Sequence, residues 1–379
     1  MTWQRVATPA VLAGSIAVVL VAGAVWLAAL AKPDDASRGQ SGPTLTMATQ
    51  MRWLAGAGPN GAVVLSISSE GWPVAHGWAR DRGEVWTAAS TCDVAAVRPP
   101  AATIVTQCPE ERRRIQLVSG SGVMTSAADF DASTHVRALG ILGNRAWFTL
   151  VEGDKGSMKC VDARGRLRSR ISLGSVCDIV SASASGDCSR FALVAALPGA
   201  GLKHSLLWVD CRRDGRLRVI GRCGVNGSFV SLSADGSRAV VADGVEGAVV
   251  LKYGQGHGRR IATGFLSEGA VGSGRVLAVS RLVRNMQTMT NVTVTAVATG
   301  TRVWRMEAEG EWLVHADANL RCVALVDPST HNCRVVDILS RNSQESWGDC
   351  ADAWPVSDDL IVTLSVDGEV SWKKNPFAD

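Results

Sequence analysis

The chain has 379 residues and a formal net charge of only +4 at neutral pH. With so small a charge and no long basic run, it lacks the electrostatic footprint of a nucleic-acid-binding protein. Its length is sufficient for one large hydrophobic core or for several small ones.

Residues 9–31 contain 23 residues without a single charge. As a helix this segment would be about 34 Å long, enough to cross a hydrocarbon core of about 30 Å. The apolar region of a signal peptide is shorter, about 7–15 residues, so we predict an uncleaved transmembrane anchor. The alternative is a cleaved secretory signal, since Ala29 and Ala31 have the small-x-small spacing of a cleavage site.

The anchor divides the chain into a short cytoplasmic tail (1–8), a polar, turn-rich and therefore flexible tether (32–44) and a C-terminal domain (45–379). Positive charges are nearly balanced across the anchor, so they do not fix its orientation. The cysteines favour an oxidising compartment for the C-terminal domain. We therefore expect a single-pass protein of a bacterial plasma membrane, with this domain outside the cytoplasm.

All ten cysteines follow the apolar segment, and none forms a C-x-x-C pair: Cys92, Cys108, Cys160, Cys177, Cys188, Cys211, Cys223, Cys322, Cys333 and Cys350. Zinc sites usually take two ligands from one tight turn, so scattered cysteines favour disulfides over a metal site. The pairs closest in sequence are the candidate disulfides, Cys92–Cys108 and Cys322–Cys333. Buried free thiols are the alternative.

From residue 45 onward, short apolar strands recur at intervals of about forty residues, and helical periodicity is almost absent. We interpret them as candidate inner strands, which begin near Gly61, Ala102, Arg145, Arg190, Arg238, Arg275, Arg321 and Leu360. One four-stranded sheet per repeat predicts an all-β fold, a seven- or eight-bladed β-propeller. Two β-sandwiches of about 160 residues each are the alternative.

The clearest hairpin covers residues 292–306. Apolar and polar side chains alternate along its first strand, which predicts a strand with one face better buried than the other. Thr299-Gly300 then forms a turn, because glycine adopts the positive φ that a tight turn requires. The alternation resumes at Arg302 and includes Trp304, a large apolar anchor.

Residues 295–304 resemble the repeat of quinoprotein-type (PQQ-like) propellers, in which a Trp follows four residues after a Thr-Gly turn. Residues 367–372 are similar to a degenerate copy of this repeat. The resemblance implies a propeller fold. Catalytic members hold a quinone beside two adjacent, disulfide-bonded cysteines, and calcium on acidic and amide side chains. No two cysteines are adjacent here, so the resemblance implies a non-catalytic member without cofactor, similar to scaffold propellers of envelope assembly machinery.

Two further groups of residues carry candidate binding functions. Four aspartates near Trp347 and Trp354 could line a sugar-binding pocket, although exposed loop acids beside core tryptophans are the favoured interpretation: Asp349, Asp352, Asp358 and Asp359. The chain has thirteen Trp and one Tyr. Trp72, Trp78 and Trp86 lie within fifteen residues, and an exposed cluster of this kind would bind a partner, whereas buried ones would pack the blades.

The six histidines are scattered without ligand spacing, and we predict no catalytic, cofactor-binding or metal-binding residue. The sequence therefore favours a membrane-anchored, extracytoplasmic propeller that binds a protein or an envelope component without catalysing a reaction. Two alternatives stay open. One is a divergent propeller enzyme, either a quinone-dependent oxidoreductase or a glycan hydrolase, and the other is the ectodomain of a membrane sensor complex.

Overall fold

The computed structural model describes residues 52–378, apart from 109–111, 200–202, 244–246, 262–265, 273, 285 and 342. The predicted cytoplasmic tail, anchor and tether lie outside the described residues. Within those residues, no helix is long and apolar enough to span a bilayer.

The described residues form thirty-one strands in eight antiparallel sheets, which we number as blades 1 to 8 in chain order. Blade 1 contains β1 (Arg52–Gly58), β2 (Gly61–Ile67), β3 (Pro73–Ala79) and β4 (Gly83–Ala88). Blade 2 contains β5 (Thr91–Arg98), β6 (Ala101–Cys108), β7 (Arg112–Val118) and β8 (Met124–Asp131). Blade 3 contains β9 (His135–Leu142), β10 (Arg145–Glu152), β11 (Lys155–Asp162) and β12 (Leu167–Ser175). Blade 4 contains β13 (Asp178–Ala184), β14 (Arg190–Ala196), β15 (His204–Cys211) and β16 (Leu217–Val225).

The second half of the chain repeats this arrangement. Blade 5 contains β17 (Val230–Leu232), β18 (Arg238–Asp243), β19 (Gly247–Lys252) and β20 (Gly258–Ile261). Blade 6 contains β21 (Glu268–Val271), β22 (Arg275–Arg284), β23 (Gln287–Ala296) and β24 (Arg302–Glu309). Blade 7 contains β25 (Leu313–Ala316), β26 (Cys322–Asp327), β27 (Asn332–Asp337) and β28 (Ser343–Trp347). Blade 8 contains β29 (Cys350–Pro355), β30 (Leu360–Ser365) and β31 (Val370–Lys374).

Strands follow one another in chain order within every blade, each hydrogen-bonded to the next. The first strands of neighbouring blades contact one another around most of the ring, and β29 of blade 8 contacts β1 of blade 1. The first strands therefore surround the centre, and the ring closes. This eight-bladed ring confirms the propeller prediction and fixes the blade number, whereas the two-sandwich alternative is wrong.

The recurring apolar strands found in the sequence are the second strands of the eight blades, β2, β6, β10, β14, β18, β22, β26 and β30. The sequence analysis predicted inner strands. That prediction is wrong, because the first strand of each blade is the innermost one. Neighbouring blades cover both faces of a second strand, so its residues are buried without alternation, as in β14. The outer strand β16 instead alternates between half-buried and exposed residues. The second strand therefore gives the most continuous apolar run in each repeat.

The predicted hairpin of residues 292–306 is confirmed. Its first strand lies in β23, which ends at Ala296, and the return strand is β24, which begins at Arg302. Gly300 in the turn has a φ of 73°, in the left-handed region that favours glycine. Val294 pairs with Trp304 across the two strands.

Side chains of the first strands tie neighbouring blades together by accepting hydrogen bonds from the backbone of the next blade. The amide of Ala138 in blade 3 donates to Asp93 in blade 2 over 2.8 Å. The amide of Val230 in blade 5 donates to Ser181 in blade 4 over 3.1 Å. Because first strands have no partner strand towards the centre, these bonds satisfy backbone donors that would otherwise lack a protein acceptor.

Arginines at the start of second strands make a second set of contacts between blades. Arg190 donates to the Gly236 carbonyl over 3.1 Å, and Arg275 donates to the Leu320 carbonyl over 3.3 Å. Each arginine thus reaches the turn between the first and second strands of a neighbouring blade. The recurrent Arg that marks strand starts in the sequence therefore joins one blade to another.

Prediction on core packing. Phe191 of blade 4 is fully buried, and its ring centroid lies 5.8 Å from that of Trp147 in blade 3. Phe191→Ala should lower the free energy of unfolding by about 4 kcal/mol, because it leaves a cavity between two blades. The midpoint of urea denaturation measures this loss. Leu167→Ala, at a side chain 57% exposed, is the control and should change stability by about 0.5 kcal/mol or less. Equal effects of the two substitutions would contradict the packing described here.

Candidate functional site

Antiparallel order within each blade separates the turns between two faces of the ring. The turns between second and third strands and the links between blades lie on the face where β1 begins, which we call the entry face. The turns between first and second strands and between third and fourth strands lie on the opposite face. The chain therefore enters the ring at Arg52 on the entry face.

Four charged or ionisable residues of blades 6, 7 and 8 form one group near the entry face, which we call the His315 cluster: Glu268, Arg281, His315 and Asp352. The imidazole Nε2 of His315 lies 3.1 Å from Asp352 Oδ1, and its ring stacks on Trp354 at a centroid distance of 4.3 Å. Arg281 forms an ion pair with Glu268 and also donates to the Trp312 carbonyl over 3.1 Å.

Asp352 also joins blade 8 to blade 1. Its Oδ2 accepts a hydrogen bond of 2.8 Å from the amide of Leu54 in β1, while Oδ1 accepts one of 2.8 Å from the amide of Ala353. The side chain is almost completely buried. A buried carboxylate requires such partners, because an unpaired charge in the interior is costly. The His315 cluster therefore joins blades 6, 7, 8 and 1.

The electrostatics of the cluster favour a protonated His315. Burial disfavours the charged imidazole, and Arg281 acts in the same direction. The carboxylates of Asp352 and Glu268 outweigh both and raise the pKa of His315 above its ordinary value. Both oxygens of Asp352 are already occupied by amide donors, so the geometry suits blade closure better than proton transfer to a substrate.

The aspartates considered for a sugar pocket do not converge on one site. Asp352 is buried in the His315 cluster, Asp358 lies 3.4 Å from Arg321, and Asp359 accepts a hydrogen bond from Ser357. Asp349 occupies a positive-φ turn position. Within the described part of the chain, no group of three or more His, Cys, Asp or Glu side chains is placed to hold a metal ion.

A cleft of about 370 Å³ opens between blade 8 and blade 1 and is lined by Trp78, Arg80, Gly83, Val370, Ser371 and Trp372. We call it the seam cleft. Trp372 Nε1 donates to the Gly58 carbonyl over 3.1 Å, which holds this indole at the base of the cleft. Arg80 contributes a positive charge, and Lys374 adds another at the end of β31.

The seam cleft lies beside an open strand edge. Blades 1 to 7 have four strands each, but among the described residues blade 8 has three, and only β30 pairs with β31. An open edge presents backbone N–H and C=O groups that can bind another extended segment. The cleft and the edge together form a surface that can bind an extended segment.

The three tryptophans proposed as partner-binding aromatics do not form one exposed patch. Trp72 lies in the β2–β3 turn and is 53% exposed. Trp78 is half-buried and lines the seam cleft. Trp86 is buried, and its indole donates to the Pro100 carbonyl over 2.8 Å. Trp72 and Trp78 thus belong to two different surfaces, and Trp86 belongs to the core.

All ten cysteines are free thiols in the structure. Cys92 and Cys108 lie on the paired strands β5 and β6, but the neighbours of Cys92 pair with Thr106 and Val105, so Cys108 is not its cross-strand partner. The pKa of Cys92 is raised chiefly by burial. Cys322 and Cys333 lie on paired strands, but Cys333 is opposite Val326. The offset of four positions between Val326 and Cys322 corresponds to about 13 Å along a strand. Since disulfides need a Cα separation below about 7 Å, the candidate Cys322–Cys333 pairing is wrong.

Cys333 contacts Cys350 instead. Both side chains are buried in one core cluster, and a hydrogen bond between the two thiols, followed by burial, raises the pKa of Cys333. The amide of Cys350 donates to the carbonyl of His331 over 2.9 Å, which holds the start of β29 against blade 7. Residues 17 apart in sequence are thus paired between two blades, and the hairpin spacing in the sequence could not indicate this.

Prediction on pH and closure. The pKa of His315 is raised in the folded state. The charged imidazole therefore contributes its full stabilisation at any pH below the pKa of histidine in the unfolded chain, about 6.5. The contribution disappears as the pH rises through the folded pKa. His315→Gln should therefore reduce the difference in thermal midpoint between acidic and alkaline buffer. His257→Gln, at an exposed turn residue, is the matched control and should leave the difference unchanged. An unaltered pH profile in His315→Gln would contradict the assigned role.

Prediction on disulfides. When the protein folds in the presence of oxidised glutathione, two thiols lose their protons and electrons and form a disulfide, while the glutathione is reduced. Peptide mapping without reductant should identify a Cys333–Cys350 peptide pair. Cys350→Ser should abolish this pair, and Cys177→Ser, at an exposed thiol, should leave it unchanged. A Cys322–Cys333 peptide pair would contradict the strand register.

Comparisons with known proteins support the fold only. No protein-family model and no curated protein matches the chain. Among solved structures, it is similar to BamB from Moraxella catarrhalis, a quinoprotein-type propeller, with 12% identity, a TM-score of 0.50 and coverage of 84% of this chain and 93% of that chain. It is also similar to Sqt1 from Saccharomyces cerevisiae, with 11% identity, a TM-score of 0.49 and coverage of 76% and 83%, respectively. Identities this low show a propeller, and the quinoprotein-type family remains a resemblance.

Proposed function

We propose that this protein is a non-enzymatic binding or scaffold module, anchored in the membrane by residues 9–31 and displayed outside the cytoplasm. Its partner is a protein, or a protein component of the envelope, that presents an extended segment. The observation that carries the proposal is that no further strand pairs with β31 in the part of the chain that the structure describes, and that this edge lies beside the seam cleft.

Strand addition explains how the edge and the cleft work together. The backbone of β31 supplies hydrogen bonds to an added strand, and the cleft receives its alternate side chains, which gives specificity. Trp78 and Trp372 provide apolar contact area, and Arg80 and Lys374 provide positive charge. This chemistry suits an extended segment with apolar side chains on one face and at least one acidic residue near Arg80.

The membrane location rests on the sequence. The uncharged segment 9–31 has the length of a single span, and ten cysteines suit an oxidising compartment. The His315 cluster supports the non-enzymatic assignment, because its polar groups are committed to contacts between blades. An oxidoreductase or a glycan hydrolase would need groups that face an open pocket.

Prediction on partner binding. A photoreactive phenylalanine analogue replaces the exposed Ser371 of β31 in the full chain, in cells that produce the protein. Irradiation should give one discrete adduct of higher mass, because the analogue lies in the seam cleft against the added strand. Tandem mass spectrometry then identifies the crosslinked peptide.

The same analogue at Leu167, exposed on blade 3, is the matched control and should give no adduct. Arg80→Glu should reduce the Ser371 adduct by roughly tenfold, since one charge contact of this kind contributes about 1 kcal/mol or more. No adduct from Ser371, or equal adducts from both positions, would rule out the seam cleft as the binding site.

A further inference from the structure

The longest hairpin of the ring extends beyond its own blade at the entry face. β22 and β23 pair along ten residues, from Arg275 with Ala296 to Arg284 with Gln287. β21 accompanies β22 only as far as Val279. The five further residues of β22 therefore run about 16 Å past the paired part of β21. On the other side, β24 accompanies β23 as far as Met289. Among the described residues, the last two pairs of the hairpin, Val283 with Thr288 and Arg284 with Gln287, project past both flanking strands.

The end of this hairpin is apolar and exposed. Leu282 is 48% exposed, Val283 78% and Met286 100%. Arg284, between Val283 and Met286 in the chain, is exposed as well. We call these four residues the blade 6 tip. Three large apolar side chains within five residues are unusual on a soluble surface and indicate a contact with another molecule.

The tip lies on the face that the membrane anchor approaches. The β22–β23 turn and the first residue of β1 are both on the entry face. The sequence predicts an anchor that ends at Ala31 and a flexible tether over 32–44, and twenty residues separate the anchor from Arg52. A random coil of twenty residues has an average end-to-end distance of about 25 Å. The entry face is thus held within reach of the bilayer, and the tip projects from it.

We propose that the blade 6 tip inserts into the lipid headgroup region of the membrane that holds the anchor. Val283 and Met286 enter the boundary between headgroups and acyl chains, and Arg284 lies at the level of anionic lipid phosphates. The inference rests on the proposed anchor, since a chain free in solution has no bilayer beside its entry face.

The neighbouring groups fit this arrangement. Arg281, at the base of the hairpin, is held by Glu268 and by the carbonyl of Trp312, so the base is fixed to the ring. Gln287, next to the tip in the chain, donates to Glu309 over 2.6 Å. Trp72, the exposed aromatic of the β2–β3 turn, lies on the same face in blade 1 and offers a second interfacial contact.

A lipid surface is favoured over a protein partner for one reason. The tip is the end of a two-stranded hairpin on which Leu282, Val283 and Met286 are exposed, and a bilayer accepts isolated apolar side chains at the end of such a projection. The seam cleft, in contrast, offers a shaped surface between two blades and suits a protein segment.

Photolabelling from the bilayer tests the proposal. The full chain is reconstituted in vesicles of phosphatidylcholine and phosphatidylglycerol, and some of the lipids carry a diazirine-labelled acyl chain. After irradiation, mass spectrometry locates the lipid adducts. Peptides with residues 282–286 should carry roughly tenfold more label than peptides with Val123 or Leu339, exposed apolar residues of the opposite face. The combined variant Val283→Asp and Met286→Asp should remove the tip label. The matched variant Val123→Asp and Leu339→Asp should leave it intact. Circular dichroism confirms that both variants fold.

The outcomes separate this inference from the proposed function. Label in residues 9–31 without label at the tip would overturn the lipid contact while the anchor stands, and the tip would then be a surface for a protein partner. Label at neither segment would overturn the anchor and the lipid contact together. Equal label at the tip and at Val123 would show non-specific adsorption and would also overturn the inference.

Discussion

The contact between blade 8 and blade 1 is the constraint on which the rest of the structure depends. Each blade buries apolar residues on both faces of its second strand, so every blade needs two neighbours. Leu54, Val64 and Leu364 form the apolar part of this last junction. Asp352 adds a buried hydrogen bond to the backbone of β1. A ring of eight blades is stable only when this junction, whose strands are about 300 residues apart, is closed.

That junction also concentrates the features that point to function. Blade 8 has three strands among the described residues, which leaves one edge open beside the seam cleft. The His315 cluster holds the inner strands together, so the outer edge can bind a strand without opening the ring. We infer that stability at the centre and binding at the periphery are separated in this blade, with Asp352 in the first role and Ser371 in the second.

The sequence predicted the architecture well because the second strands are nearly continuous apolar runs. Arg145, Arg190 and Arg275 mark their starts, and Gly300 marks a turn that requires positive φ. The candidate site could not be predicted in the same way. Glu268, His315 and Asp352 come from three different blades, and their spacing has no local pattern.

Predictions about individual residues were wrong for similar physical reasons. The pairing of Cys322 with Cys333 was inferred from closeness in sequence, but the strand register puts Cys333 beside Cys350 in the next blade. Trp86 was grouped with Trp72 because both lie in one short segment. Its position on the fourth strand instead turns the indole into the core between blades 1 and 2. Closure of the ring determines which residues of different blades meet. The sequence of a single repeat therefore cannot predict these contacts.

We propose a membrane-anchored ring that binds an extended segment at a peripheral strand edge and catalyses no reaction. Native mass spectrometry of the full chain, extracted in detergent from the cells that produce it, tests this claim most directly. We expect the chain to have the mass of the polypeptide alone or of a complex with another polypeptide. A stoichiometric quinone or calcium adduct that survives extraction would contradict it and would make this propeller an enzyme.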